Sequence, residues 1–287
     1  MKLSLSVQTP EVQFAAPVAL LTGSFEEKVA KAAAWGAQGL ELMPVDPAAL
    51  DAPALLASME RAGLEAAAIG STLLGAVGLT LLQAEAEKAA LARFRLRDLI
   101  DFAAAVRAPL VTIGSVRGRA ATFGAGAREQ LVTMLREAAV HAASRGVRLV
   151  LEPINRYQLD LVNSVEEALA LVEEVSHAAL GLLLDTCHMN MEESSWQEPF
   201  ERAMAAGRLW HVHVADSNRR APGRGLLDFA AIIAILRQVG YAGYLSAEIL
   251  ALPDPDRAAQ DMLVHLRPLL EQYRPDPSLG DSKGVER

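Results

Sequence analysis

Short runs rich in Val, Ile, Leu and Ala recur through the chain, separated by longer stretches with helical spacing of apolar positions. The runs predict eight strands: Leu3–Val7, Gly39–Met43, Glu65–Ile69, Leu110–Ile113, Arg148–Leu151, Gly181–Leu184, His211–Val214 and Tyr244–Ile249. Several are almost continuously apolar, as parallel strands covered on both faces must be. The intervening stretches predict helices over Ser24–Trp35, Pro53–Ala62, Ala84–Val106, Ala127–Ser144, Val165–Val175, Trp196–Ala205, Phe229–Val239 and Asp256–Tyr273. Ser164 followed by Glu167 reads as a capping box. Gly36, Gly63, Gly146, Gly207 and Gly240 fall just past helix ends, where a left-handed residue is wanted. Eight alternating βα units imply a parallel sheet that closes, an α/β fold of the (β/α)8 barrel type. No linker or shift in composition divides the chain, so residues 1–274 are read as one barrel domain. Residues 275–287, with Pro275, Pro277, Gly280 and Gly284, are read as a flexible tail.

Four of the predicted strands end on a polar residue: Glu152 in LVLEPINRY, Asp185 in LGLLLDTCHMN, His213 in WHVHVADSNR and Glu248 in GYLSAEI. Their successive separations are 33, 28 and 35 residues, against roughly 31 per unit in a barrel of this kind. Consecutive strands would therefore deliver one ligand each to the same carboxyl-terminal rim, where such barrels carry their active sites. A carboxylate ending an apolar strand is costly to bury unless it is paired or metal-bound. Any one of the four could merely cap the next helix or meet an arginine, but four in consecutive strands point to a shared site. Three carboxylates and one imidazole suit one hard or borderline divalent cation, with Mn²⁺, Co²⁺ or Mg²⁺ favoured over a structural zinc.

Other residues gather around these four in sequence. His188 and Asn190 follow Asp185 by three and five positions, which puts His188 in the loop above the metal. His211 shares a strand face with His213 and lies deeper, either supporting it or packed in the core. Arg219 closes the segment after the seventh strand, where a guanidinium can stabilise an oxyanion or form a surface ion pair. Asn155 and Arg156 follow closely after Glu152 and could serve as rim architecture bonded to loop backbone, the reading taken for Arg156. Arg117 and Arg119 are read as a solvated loop, the alternative being a hold on a substrate phosphate. Cys187 is expected to be a small packed side chain. His141, His177 and His265 fall on outer helices or their ends, away from a central site.

Charge narrows the partners. The net charge is −8 and the pI about 5.3, whereas a nucleic-acid surface needs a basic face. A single cysteine, Cys187, excludes an internal disulfide and suggests a reducing compartment, so a cytoplasmic location is expected. The opening MKLSLSVQTPEVQF has no signal-peptide pattern. The uncharged stretch from Ala66 to Leu82 is too short to span a membrane and reads as a strand followed by an apolar rim loop.

At LEPINRY, DTCHMN, HVADSNR–PGRG and GYLSAEI the chain resembles the xylose-isomerase-like TIM barrels of the sugar phosphate isomerase/epimerase family. Within it the likeness is to the ketose 3-epimerases that act on D-tagatose and D-psicose. The resemblance spans nearly the whole barrel and is strongest from Leu149 to Glu248. It implies that Glu152, Asp185, His213 and Glu248 bind the metal, that Glu152 and Glu248 also act as acid and base, and that His188 and Arg219 contact sugar oxygens. The family often has a glutamate where this chain has Gln158, which would accept no proton from the substrate; Gln158 is accordingly assigned to substrate binding. What the resemblance implies is a metal-dependent epimerase or isomerase of ketoses or ketose phosphates, working through a cis-enediolate by proton transfer beside a carbonyl. Epimerisation and aldose–ketose isomerisation share that intermediate. A hydroxypyruvate isomerase, an inosose dehydratase or a non-catalytic sugar-binding barrel would use the same scaffold. The expected partners are a small-molecule sugar or sugar phosphate and further copies of the chain in a dimer or tetramer, with no nucleic acid and no membrane. Apurinic endonucleases resemble the chain in fold but need several more histidines.

Overall fold

A computed structural model describes residues 1–272. Eight parallel strands run β1 Lys2–Gln8, β2 Gly39–Met43, β3 Glu65–Ile69, β4 Leu110–Ile113, β5 Arg148–Leu151, β6 Leu180–Asp185, β7 Leu209–His213 and β8 Tyr244–Ala247. They close in sequence order, β8 pairing back onto β1. The expected barrel is therefore formed. The tail expected over residues 275–287 lies outside the described residues.

Around the barrel lie α1 Phe25–Ala34, α2 Ala52–Arg61, α3 Thr72–Ala76, α4 Ala86–Ala105, α5 Ala120–Phe123, α6 Ala127–Ser144, α7 Val165–Val175, α8 Thr186–Glu192, α9 Gln197–Ala205, α10 Phe229–Gln238 and α11 Pro255–Glu271. The eight expected helices are all present. The short α3, α5 and α8 sit in the loops after β3, β4 and β6, where four to seven residues carry too little periodicity to be read. The five glycines expected past helix ends all adopt positive φ, from +66° to +82°. The capping box expected at Ser164 forms only by half: Ser164 accepts from the Glu167 amide, but the Glu167 carboxylate accepts from Asn163 instead. A full box closes the start of α1, between Ser24 and Glu27.

Strand alternation sends Leu3, Leu5, Val7, Leu40 and Leu42 outward into the main core beneath the helices. The other face fills the barrel. Across β3 to β6 the filling is mainly apolar: Ala68, Leu110, Val150 and Leu183 form a separate buried cluster, with Thr112 opposite Val150 as a buried polar member of the same face. Across β7, β8, β1 and β2 it is polar: His211, Ser246, Ser4, Ser6 and Glu41, each 1% exposed or less. Register brings the latter side by side, with Ser4 opposite Ser246 and Ser6 opposite Glu41. Among the described residues no helix is long and apolar enough to cross a membrane.

Candidate metal centre

Asp185 is the last residue of β6 and also the N-cap of α8. Its Oδ1 accepts from the amides of Cys187 at 2.7 Å and His188 at 3.4 Å. Capping thus occupies Oδ1 and leaves Oδ2 facing His213 Nδ1 and Arg219. His213 ends β7, paired in register with Asp185. Glu152 and Glu248 follow β5 and β8 by one residue. All four are buried, 3% exposed or less, and one ligand atom from each falls within a group whose members lie within 4.8 Å of one another. From His213 Nδ1 the distances are 3.5 Å to Glu248 Oε2, 3.9 Å to Glu152 Oε1 and 3.9 Å to Asp185 Oδ2.

Two of these atoms, His213 Nδ1 and Glu152 Oε1, are buried with no hydrogen-bond partner among the described residues. A buried lone pair left unsatisfied costs about 1–3 kcal/mol, and a cation at their common focus removes that cost. Three oxygens and one nitrogen are the donor set of Mn²⁺, Co²⁺ or Mg²⁺ sites rather than of structural zinc. The residues fit a divalent ion.

The two glutamates stand in opposed electrostatic settings. Burial, then the Glu248 charge, pushes the Glu152 carboxyl up to about 8 against the pull of His213. Burial also opposes the charge on Glu248, yet Arg219 and His213 outweigh it and hold that carboxyl down to about 2. The two neighbouring carboxyls are thus pushed apart in proton affinity by their surroundings.

Arg219 reaches the site from the loop after β7. Its backbone is held at φ +62°, a region that costs a non-glycine residue about 1–3 kcal/mol. The amide donates to Asp216 O at 2.8 Å, and the carbonyl accepts from Leu250 at 2.7 Å. Asp216 is fully buried and braces the same loop by accepting from the amides of Ser217, Gly223 and Leu227. The Arg219 guanidinium bonds Glu248 and lies 3.3 Å from Asp185 Oδ2. His188 comes from α8. Its Nδ1 meets Asn155 Nδ2 at 2.8 Å, while Asn155 Oδ1 is occupied by the Tyr157 amide at 3.1 Å. Asn155 therefore donates, His188 Nδ1 accepts, and the His188 proton sits on Nε2. That nitrogen is 3.1 Å from Arg219 Nη1 and 3.6 Å from Glu152 Oε1. Burial pushes the imidazole down to about 4 and keeps it neutral. Two nitrogens that both carry protons thus lie side by side next to the cluster, where an oxygen accepting from both would relieve their mutual repulsion.

The sequence reading missed Glu41, on β2. It is 1% exposed. Its carboxylate accepts from His213 Nε2 at 3.1 and 3.2 Å, from His211 Nε2 at 3.0 Å and from Ser246 Oγ at 2.8 Å. Both imidazoles, after burial opposes them, hold its carboxyl far below the usual carboxylate range. A lone Glu inside the apolar run GLELM was the available signal. Thr72, at the start of α3, was missed too; its hydroxyl donates to Glu248 Oε1 at 2.7 Å.

The reading of Arg117 as a solvated or phosphate-holding residue is corrected. Its side chain is fully buried and donates to the carbonyls of Glu152 at 2.6 Å, Val162 at 2.8 Å, Gly114 and Leu161. Glu152, Leu161 and Val162 lie in the loop after β5, outside the strand ladder, and the guanidinium fork reaches all three carbonyls; burial lowers its own pKa to about 10. Arg119 is exposed, as expected. Arg156 is a rim residue paired with Glu192, and Cys187 is packed in the core. Gln158 lies on the exposed turn after Asn155, its amide bonded to the Asn155 carbonyl, and Asn190 is exposed on α8. His141 pairs with Asp101, and His265 packs edge-on against Phe229, both away from the centre.

Comparison with known proteins places this geometry. The family model for the xylose isomerase-like TIM barrel matches residues 29–269. An L-ribulose 3-epimerase from Methylomonas sp. is 38% identical over 122 residues, covering 42% of each chain. A 3-dehydro-D-guloside 4-epimerase from Escherichia coli is 36% identical over 145 residues, 50% of this chain and 54% of that one. The chain thus spans about half or less of the length of these curated relatives. In fold it is similar to the crystal structure of a Methylomonas D-allulose 3-epimerase in complex with D-allulose. The TM-score is 0.76 at 22% identity, over 95% of this chain and 98% of that one.

Proposed function

The chain belongs to the xylose isomerase-like TIM barrel family, and from that premise we propose that it is a divalent-metal-dependent epimerase of ketoses or ketose phosphates. The observation that carries this reading is the buried cluster of Glu152, Asp185, His213 and Glu248, with two side-chain atoms that nothing among the described residues satisfies. The similar enzymes support it: their names pair a carbonyl with an adjacent epimerised carbon, position 3 of a ribulose and position 4 of a 3-dehydro sugar.

When bound by these four residues, Mn²⁺, or Co²⁺ or Mg²⁺ in its place, would supply Lewis-acid polarisation of the substrate carbonyl. The remaining chemistry falls to side chains. One of Glu152 and Glu248 takes the proton from the carbon beside the carbonyl, and the C–H electron pair moves into the carbon–carbon bond of a cis-enediolate. The other glutamate returns a proton to the opposite face and inverts the centre. Two acid/base groups flanking a planar intermediate are what epimerisation requires. The convergent N–H groups of His188 and Arg219 stabilise the oxygen that gains negative charge. Asn155 keeps the His188 proton on the side facing that oxygen, and Thr72 holds one oxygen of Glu248 in place. Gln158 is assigned to the outer part of the substrate site.

The test is a panel of ketoses and ketose phosphates with the Mn²⁺-loaded protein, followed by NMR in D₂O. The expected result is deuterium entering the carbon beside the carbonyl together with formation of the epimer. Metal-loaded protein that exchanges no such proton in any substrate would overturn the enzymatic reading and leave a sugar-binding barrel.

A further inference from the structure

We propose that Glu41 is the positioning residue that makes His213 a metal ligand, an inference that rests on the four-residue cluster being a cation site. A neutral imidazole offers a lone pair from one nitrogen only, so a histidine ligand works only when its proton is held on the other. His213 sits at the junction of two environments. Its Nε2 points down to Glu41, with both carboxylate oxygens 3.1–3.2 Å away, and its Nδ1 points up among three carboxylates with no hydrogen-bond partner among the described residues. An ionised carboxylate accepts and never donates. Glu41 therefore fixes the proton on Nε2, turns the Nδ1 lone pair toward the cluster and, through its charge, makes that lone pair a stronger donor.

Glu41 is in turn held so that it stays charged. His211 and Ser246 donate to its Oε2 at 3.0 and 2.8 Å, and with His213 they surround it with N–H and O–H groups from β7 and β8. Gly70 leaves room for it: a Cβ there would lie 3.2 Å from Glu41 Oε1. Glu41, His211 and His213 also bring ligand atoms within 4.8 Å of one another. The ring nitrogens facing Glu41, however, both donate their protons to its oxygens and so offer no lone pair to an ion. The polar side of the barrel floor is thus a support for the metal centre and not a second centre.

Mn²⁺ titrated calorimetrically into the metal-stripped full chain reads affinity and stoichiometry. The visible absorption of the Co²⁺-loaded protein reads the ligand field at the ion. Glu41→Gln is expected to weaken Mn²⁺ binding by about 10–100-fold, to shift the Co²⁺ bands and to leave one ion per chain. Glu41→Asp retains the charge but withdraws it by one methylene, and its affinity is expected between the two; it also serves should the glutamine variant fail to fold. Either folded variant binding Mn²⁺ as tightly as the unaltered protein, with unchanged Co²⁺ bands, would overturn the proposal, even if its unfolding temperature falls. Two ions in the unaltered chain and one in Glu41→Gln would overturn it as well, by making Glu41 a ligand. No Mn²⁺ binding by the unaltered chain would instead defeat the cation site itself.

Discussion

Below the ligand cluster, β3 to β6 fill the barrel with Ala68, Leu110, Val150 and Leu183, whereas β7, β8, β1 and β2 fill it with His211, Ser246, Ser4, Ser6 and Glu41. Both halves are closed to solvent and both lie one layer beneath a ligand: Val150 and Leu183 under Glu152 and Asp185, His211 and Ser246 under His213 and Glu248. The difference follows from the ligand each half supports. A carboxylate ligand needs no tautomer chosen, and Asp185 is oriented from above by the amides of α8. Its floor can be hydrocarbon that contributes stability by burial alone. An imidazole ligand needs its second nitrogen occupied, and only a polar floor can do that. One histidine, His213, shows the site a lone pair because Glu41 holds its proton. The other, His188, shows the site a proton because Asn155 occupies its Nδ1.

The largest effect expected lies above both halves. Glu152→Gln and Glu248→Gln each keep an oxygen ligand but cannot accept a proton, and each should lower epimerisation by roughly 10²–10⁴-fold while retaining measurable metal. The two should differ in D₂O: for a given epimer, loss of the abstracting base stops deuterium uptake, and loss of the returning acid does not. Near-normal turnover of both metal-loaded variants would rule out two-base chemistry. Next comes the apolar floor. Leu183→Ala should cost about 2–5 kcal/mol of stability in denaturant unfolding through the cavity it leaves, with Mn²⁺ affinity of the folded protein unchanged. A marked loss of affinity would show that the two halves do not divide their work in this way. On the polar side, Ser246→Ala removes one donor to the ionised Glu41 and should cost about 1.5–3 kcal/mol of stability while also weakening Mn²⁺ binding, which Leu183→Ala leaves alone; unchanged Mn²⁺ affinity in Ser246→Ala is the outcome that breaks the contrast. The smallest effect belongs to the rim. Gln158 is exposed, so Gln158→Glu should shift the kcat/KM ratio between two ketoses by less than about fivefold, the usual worth of an exposed charge. Loss of metal binding in that variant would place Gln158 in the metal centre instead.

Much of this cluster is legible in the sequence, for a definite reason. The barrel repeats itself along the chain, so ligands that occupy equivalent strand ends recur at nearly the unit spacing, and Glu152, Asp185, His213 and Glu248 announce themselves one after another. His188 and Arg219 were legible because they follow two of those ligands by three and six residues. The residues that support them have no such signature. Glu41 meets His211 and His213 across 170 and 172 positions and Ser246 across 205, and Thr72 reaches Glu248 across 176. Arg117 is buried because a loop more than forty residues later folds over it, although nothing around it in sequence is apolar enough to suggest burial. The hydrophobic period and the strand-end polar residues determined the fold and the side chains that gather at its rim. Which carboxylate holds which ring nitrogen was decided only when barrel closure paired β8 with β1 and so set β7 and β8 across from β2, because hydrogen bonds are set by distance in space and not by distance along the chain.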